Sequence, residues 1–280
     1  MRPMTDTDYC QQKVASQGSS LYYCTLFLDP PRHDALIALH AFRREISDIV
    51  RTCVEVEPAR AKLAWWRMQI GALHEQHPDH PVTKALAKSM QQFPIAQEQL
   101  HEVIDGYEMD LDQGRYEDFK ALQLYCYRVS STISTISASM LGYQGRGTSK
   151  FAHELGLVLQ LTDIIRDVGL DARQGRIYLP LDEMQQFGVT EDNIFDALHN
   201  EKTKALLEFQ AERVISLYQK ALSLLDSQDK KSQRALLALA AIQSALLGEI
   251  GRDGYRVMDH GISLTPLRKL WIATRTWLAA

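Results

Sequence analysis

Glycine and proline are too scarce in this chain to break it into short pieces. Fifteen Gly and nine Pro punctuate 280 residues, and the stretches between them carry apolar residues at three- and four-residue spacing, the period of an amphipathic helix. In Asp34 to Val54, Leu36, Leu39, Phe42, Ile46, Ile49 and Val50 fall on one stripe, and Pro30-Pro31 ahead of it suits a first helical turn. The same spacing predicts helices over residues 59–74, 82–92, 95–113, 119–141 and 151–171, with Gly145-Arg146-Gly147 separating the last two. Gly175, Pro180 and Gly188 make 173–189 an ordered loop with one helical turn. Two long helices are expected over 200–227 and 230–257, the second apolar nearly all round and so buried. No strand pattern, internal repeat or linker is visible. The expectation is one all-α domain over 1–280, built from long packed helices.

With 45% hydrophobic and 24% charged residues the chain can bury a core, which excludes disorder over most of its length. A net charge of -4 gives no basic footprint for nucleic acid. Cys10, Cys24, Cys53 and Cys126 lie far apart, without C-x-x-C or finger-spaced His, so neither a zinc site nor a disulfide framework is expected. Reduced thiols and a cytoplasmic location follow. The polar N-terminus lacks the apolar run of a signal peptide, and no segment reaches about 18 uninterrupted apolar residues, so neither secretion nor a membrane span is expected. The last segment, PLRKLWIATRTWLAA, mixes Trp271 and Trp277 with Arg268, Lys269 and Arg275. A helix packed on the core is the favoured reading and a membrane-surface helix the alternative, so peripheral membrane contact stays open.

The stretch that carries chemistry is Gln160-Leu-Thr-Asp163-Ile-Ile-Arg166-Asp167-Val-Gly-Leu-Asp171. Gln160, Asp163, Asp167 and Asp171 sit at i, i+3, i+7 and i+11 and line one face of a helix. Stacked carboxylates repel unless something cationic lies against them, and hard oxygen donors suit Mg²⁺ holding a phosphate. A solvated acidic face paired with surface Lys or Arg is the other reading. Val158, Leu159, Leu161, Ile164, Ile165 and Val168 around the acids favour a buried helix with its carboxylates facing a cavity.

QLTDIIRDVGLDARQGRIYLPLDE resembles the second aspartate-rich motif of the squalene/phytoene synthase family with the Arg-x-Tyr-x-Pro segment that follows it. Gly18-Ser-Ser-Leu-Tyr-Tyr, the AFRRE helix, Leu63-Ala-Trp-Trp-Arg, Asp105-Gly-Tyr-Glu-Met-Asp-Leu-Asp, Tyr125-Cys-Tyr-Arg-Val and Ser263-Leu-Thr-Pro-Leu-Arg-Lys-Leu-Trp extend the likeness, most nearly to the bacterial presqualene diphosphate synthase branch. The resemblance implies an all-α isoprenoid synthase bundle in which two aspartate-rich helices face each other across a deep apolar pocket. Mg²⁺ ions there would bind an allylic diphosphate and act as Lewis acids on the leaving charge. Asp163 and Asp167 would be metal ligands, with Asp171 one turn further, and Gln160, Arg166 and Tyr178 would surround the same diphosphate. Ser19 and Ser20 would border the substrate.

The first motif departs from that pattern. Where the branch reads C-R-E-V-D-D-x-x-D-E, this chain has Arg43-Arg44-Glu45-Ile46-Ser47-Asp48-Ile49-Val50-Arg51-Thr52, so the two outer aspartates become Ser47 and Arg51. Asp48 and Glu45 are left as metal ligands, and Arg51, like Arg44, would contact phosphate directly. The family's small-residue floor becomes Val129-Ser130-Ser131-Thr132-Ile133-Ser134, which brings the Ser131 hydroxyl to the substrate, and its Tyr-Arg pair on the penultimate helix becomes Gln243-Ser244. Asp105, Glu108, Asp110 and Asp112 form an acidic run read as solvated or capping, and Arg43 is as readily a surface ion-pair partner as a phosphate ligand.

The function these features imply is a Mg²⁺-dependent prenyltransferase. It would ionise one allylic diphosphate, farnesyl, geranylgeranyl or dimethylallyl, and pass the prenyl group to a small-molecule acceptor such as an aromatic. One alternative is head-to-head joining of two farnesyl diphosphates. The other is a catalytically silent relative kept as a partner protein, although an unused acidic stripe beside apolar residues would cost stability.

Overall fold

The computed structural model describes residues 4–53 and 55–280, and among these there is no strand. The chain runs α1 (Asp6–Val14), α2 (Ser20–Thr25), α3 (Pro30–Thr52), α4 (Val56–His74), α5 (Pro81–Met90), α6 (Gln97–Asp112) and α7 (Phe119–Cys126). A π-helical turn, Tyr127–Ser131, leads into α8 (Thr132–Leu141). Then come α9 (Arg146–Arg173), α10 (Leu181–Phe187), α11 (Glu191–Phe195), α12 (Glu201–Leu224), α13 (Arg234–Arg252) and α14 (Pro266–Ala279).

Two helices organise the bundle. The predicted stripe of α3 is buried, and it packs against α1, α5, α6 and α8. α9 packs against α7, α8, the π turn, α12 and α13, with Leu155 through Leu161 buried in an unbroken run. α3 and α9 face each other across a gap bridged by long side chains and run in the same direction, since Arg43 reaches Gln160 midway along both and Arg51 reaches Asp171 near their C-terminal ends.

The sequence reading differs from the structure in instructive places. The helix expected from 151 begins five residues earlier. Asp229 accepts from the backbone N–H groups of Gln144 (3.0 Å) and Gly145 (2.9 Å) and from the Thr148 hydroxyl (2.6 Å), so a carboxylate far along the chain caps α9 and draws Arg146 and Gly147 into it. The single helix expected over 119–141 contains the π turn. The 173–189 loop holds the two-turn α10, and α11 is an element the periodicity did not predict. The first long helix stops at Thr52, and Val54, its expected end, lies outside the described residues.

α13 is not buried all round: Ser244 and Gly248 face solvent. It has the length and hydropathy of a membrane span, yet half of that stretch is buried in the bundle. α14 packs on α13 and α2, as the favoured reading expects, burying Ile272 and Ala273, while Leu267, Trp271 and Leu278 on its outer side stand exposed.

The π turn is clamped between two glycines. A Cβ on Gly156 of α9 would lie 2.3 Å from the Ser131 Cα, and one on Gly106 of α6 would lie 2.5 Å from the Arg128 Cβ. Gly156→Ala should therefore destabilise the protein by about 2–3 kcal/mol through forced backbone displacement. Gly71→Ala in α4, where an added Cβ meets nothing within 4 Å, should stabilise by roughly 0.5–1 kcal/mol. Urea unfolding of the two variants checks both signs.

Candidate active site

A cavity of about 410 Å³ opens between the C-terminal part of α1, the start of α2, and helices α3, α6 and α9. Its wall carries Lys13, Arg43, Arg44, Arg51 and Arg166 against Asp110, Asp163 and Asp167, with hydroxyls from Ser16, Ser19 and Ser47. The rings of Tyr107 and Tyr125 and the side chains of Val14, Leu21 and Val50 supply its apolar surface.

The acidic stripe of α9 enters this cavity, as its spacing predicts, but every carboxylate on it meets a cation. Arg166 donates Nε and Nη2 to the two oxygens of Asp167 at 2.8 and 2.6 Å, a bidentate pair, and its Nη1 lies 2.9 Å from Asp163 Oδ1. The Gln243 amide donates to the same Asp163 oxygen at 2.9 Å. Arg51 crosses from α3 to donate to Asp171 at 3.1 Å and stands 4.0 Å from Asp167. Burial lifts the Asp171 carboxyl to about 7 against the pull of Arg51, with Asp167 adding to the rise.

Nearer α1, Lys13 bridges Glu45 (3.0 Å) and Asp48 (3.1 Å), Arg44 Nε lies 2.8 Å from Asp48, and Tyr9 donates to Glu45 at 2.7 Å. Arg43 points inward, donating Nε to the Val129 carbonyl (3.0 Å) and Nη2 to Gln160 (2.8 Å).

The structure thus brings Asp163, Asp167, Arg166, Gln160, Arg44, Arg51 and Ser19 to one cavity. Asp171, Asp48 and Glu45 stand behind its cations, and Gln243 acts through Asp163. Ser20 opens α2 beside Ser19 and is absent from the cavity wall. Ser131 does not reach the cavity: it is buried under Gly156, and its hydroxyl donates to the His153 carbonyl at 2.8 Å. Tyr178 is also set back, donating to Asp110 at 2.8 Å.

Asp110 is the residue the sequence reading missed. Its neighbours in the acidic run behave as expected for a solvated face, Asp105 and Glu108 pairing with Arg67 and Asp112 with Arg60. Asp110 instead turns into the cavity, where Tyr178 and Tyr125 (3.1 Å) both donate to it. Burial pushes its carboxyl up to about 6, resisted by Arg176 and the tyrosine hydroxyls. Lys13, Arg43, His40 and Tyr107 are further wall residues without a spacing signal, since they converge from separate helices.

Mg²⁺ needs near-octahedral oxygen donors free to approach to about 2.1 Å. Here both Asp167 oxygens and one Asp163 oxygen accept from Arg166, while Asp171, Asp48 and Glu45 each lie against a protein cation. Among the described residues no three His, Cys, Asp or Glu form a metal-holding group. The expected ligand set therefore does not fit Mg²⁺ in this arrangement.

A sequence profile of the squalene/phytoene synthase family matches residues 14–270. The chain is 26% identical over 285 residues to 15-cis-phytoene synthase of Synechocystis sp., covering 98% of this chain and 85% of that one. It is 29% identical to phytoene synthase of Arthrospira platensis, covering 96% and 92%. Among solved structures, a dehydrosqualene synthase in complex with ligand superposes with a TM-score of 0.86 at 25% identity over 98% of this chain and 96% of that chain. A squalene synthase from Alicyclobacillus acidocaldarius shares the fold with a TM-score of 0.76 at 20% identity, covering 89% and 94%. Divalent-metal dependence is a property of that family.

Burial of Asp110 has a measurable consequence. Its folded-state value of about 6 lies above the ordinary 3.8, so between the two the folded protein holds the proton that the unfolded chain releases. Stability relative to Asp110→Asn should rise as the pH is lowered from about 7 to about 4 and level off below. Urea midpoints across that range test this, and a difference that stays constant would refute it.

Proposed function

The chain belongs to the squalene/phytoene synthase family and is a prenyltransferase of that family, and from that premise we propose that it ionises a single allylic prenyl diphosphate and transfers the prenyl group to a small-molecule acceptor. One observation carries this reading. Arg51 of α3 is joined to Asp171 and faces Asp167 of α9, so a guanidinium stands where the resemblance leads one to expect a carboxylate of the first motif, which supports the handling of one diphosphate rather than two. Head-to-head condensation needs two diphosphates handled in one site.

In the proposed reaction the allylic C–O bond breaks with its electron pair leaving on the diphosphate, and the guanidinium groups at the cavity wall take up that charge. Tyr107 and Tyr125 line the same cavity, where aromatic rings would favour the prenyl cation. The acceptor supplies the electron pair of the new bond and gives its proton to the Asp110 carboxylate, whose value of about 6 leaves it ionised yet basic near neutral pH. Asp163 and Asp167 position Arg166, and Tyr125 and Tyr178 position Asp110.

The names of the relatives, phytoene and dehydrosqualene synthases, supply the competing reading, a condensation of two prenyl diphosphates. We also propose peripheral membrane contact through α14, where Leu267, Trp271 and Leu278 are exposed and Arg275 lies 5.3 Å from the Trp271 ring. Trp271→Glu should then lower co-sedimentation with anionic vesicles several-fold.

Mass spectrometry of incubations with farnesyl, geranylgeranyl or dimethylallyl diphosphate, alone and with a small-molecule extract, tests the reaction. A prenylated product should appear only with the extract, and Asp110→Asn should lower its kcat about 100-fold. A C30 or C40 product from the diphosphate alone would establish condensation instead, and no product under any condition would leave the chain a silent relative.

A further inference from the structure

We propose that the cavity is a metal-independent diphosphate site, in which Lys13, Arg44 and Arg51 supply the positive charge that a divalent ion would otherwise bring. The inference rests on the prenyl-transfer reading only for what hangs from the diphosphate.

The charge inventory points this way. Five cations reach the wall and three carboxylates do, while Asp171, Asp48 and Glu45 are set behind the cations they pair with, so an anion entering the cavity meets the positive groups first. Arg51 stands between α3 and α9, within 4.0 Å of Asp167 and 3.1 Å of Asp171. A metal ion seated on those carboxylates would have to displace a guanidinium tethered to the same fold, and it would meet that charge at close range.

The donors that remain are placed for a phosphate. Arg51 commits Nη2 to Asp171, and Arg44 commits Nε to Asp48. Each keeps further N–H groups at the wall, in the planar fork that matches paired phosphate oxygens. The two arginines lie seven residues apart on α3, so two turns set them on one face about 10 Å apart along the axis, a span that two long side chains can close upon from either end. The Ser47 hydroxyl lies between them on the same wall. A serine hydroxyl is a weak magnesium ligand and a good donor to a phosphate oxygen. Lys13, from α1, brings an ammonium that already ties Glu45 to Asp48. The carboxylates then have a defined job, which is to hold the cations in place.

Isothermal titration of the full chain with inorganic diphosphate, in EDTA and then in Mg²⁺, tests the proposal. Binding is expected in EDTA with a Kd within about threefold of that in Mg²⁺, and Mg²⁺ alone should give no binding heat. Arg51→Gln and Arg44→Gln should each weaken binding in EDTA by about tenfold or more, a loss typical of a charge-assisted hydrogen bond. Because Arg51→Gln strands a buried carboxylate, the double variant Arg51→Gln/Asp171→Asn provides the folded control and should show the same loss. Orthophosphate, too short to engage both arginines, should bind at least tenfold more weakly. Diphosphate binding that requires Mg²⁺, undiminished binding by the arginine variants, or equal affinity for orthophosphate would each overturn the site. Diphosphate bound in EDTA by a chain that makes no prenylated product would sink the transfer reading and leave this site standing. A prenylated product alongside strictly Mg²⁺-dependent diphosphate binding would do the reverse.

Discussion

The bundle depends on how it matches the carboxylates it draws in with α9. That helix is packed by neighbours along most of its surface, so its acidic stripe is half-buried against the cavity, and three aspartates at four-residue intervals repel one another in a medium of reduced dielectric. Arg166 answers two of them from the same helix, and Arg51 answers the third from α3. Removing either arginine would strand buried negative charge, which costs more than the pair itself contributes. The match therefore reaches beyond one helix: α3 must lie beside α9 with its Arg51 end level with Asp171 for the count to close.

The second rung between the two helices comes from an irregularity. The π turn at Tyr127–Ser131 presents the Val129 carbonyl to Arg43 Nε, whose other end holds Gln160. A π turn costs regular hydrogen bonding and tends to mark functional positions. Here it is pressed between Gly106 and Gly156, where no side chain would fit, and the Thr132 hydroxyl donates back to the Tyr127 carbonyl at 3.1 Å. Of the run Ser130-Ser131-Thr132, the Thr132 hydroxyl thus serves the turn itself and the Ser131 hydroxyl the backbone of α9.

Much of this was legible in the sequence. Apolar period revealed the long helices, and the stripe from Gln160 to Asp171 marked the helix that faces the cavity, because a helix carries side chains at three- and four-residue intervals to one side. What stayed hidden depends on partners far along the chain. Asp110 looks like its acidic neighbours, and only the fold brings Tyr125 and Tyr178 to it. Lys13 sits in a polar segment without pattern, and Asp229 caps a helix more than 80 residues before it. A π turn leaves no trace in a 3.6-residue period. The exposed side of α14 stayed hidden for a related reason: periodicity cannot say how much of an apolar helix its neighbours cover.

Arg51 shows why a site can change its chemistry while its scaffold persists. The position lies on the cavity face of α3, opposite the α9 stripe, so whatever stands there interacts with Asp167 and Asp171. An acidic side chain at that place would deepen the negative field and call for free cations to balance it. Arginine carries the balancing charge on the chain itself, fixes it by a planar fork, and needs no change in helix packing to do so. The exchange has a cost in adaptability, because a tethered guanidinium cannot leave with the product as a hydrated ion can. A cavity built this way holds that positive charge permanently, because the side chain that carries it is part of the fold.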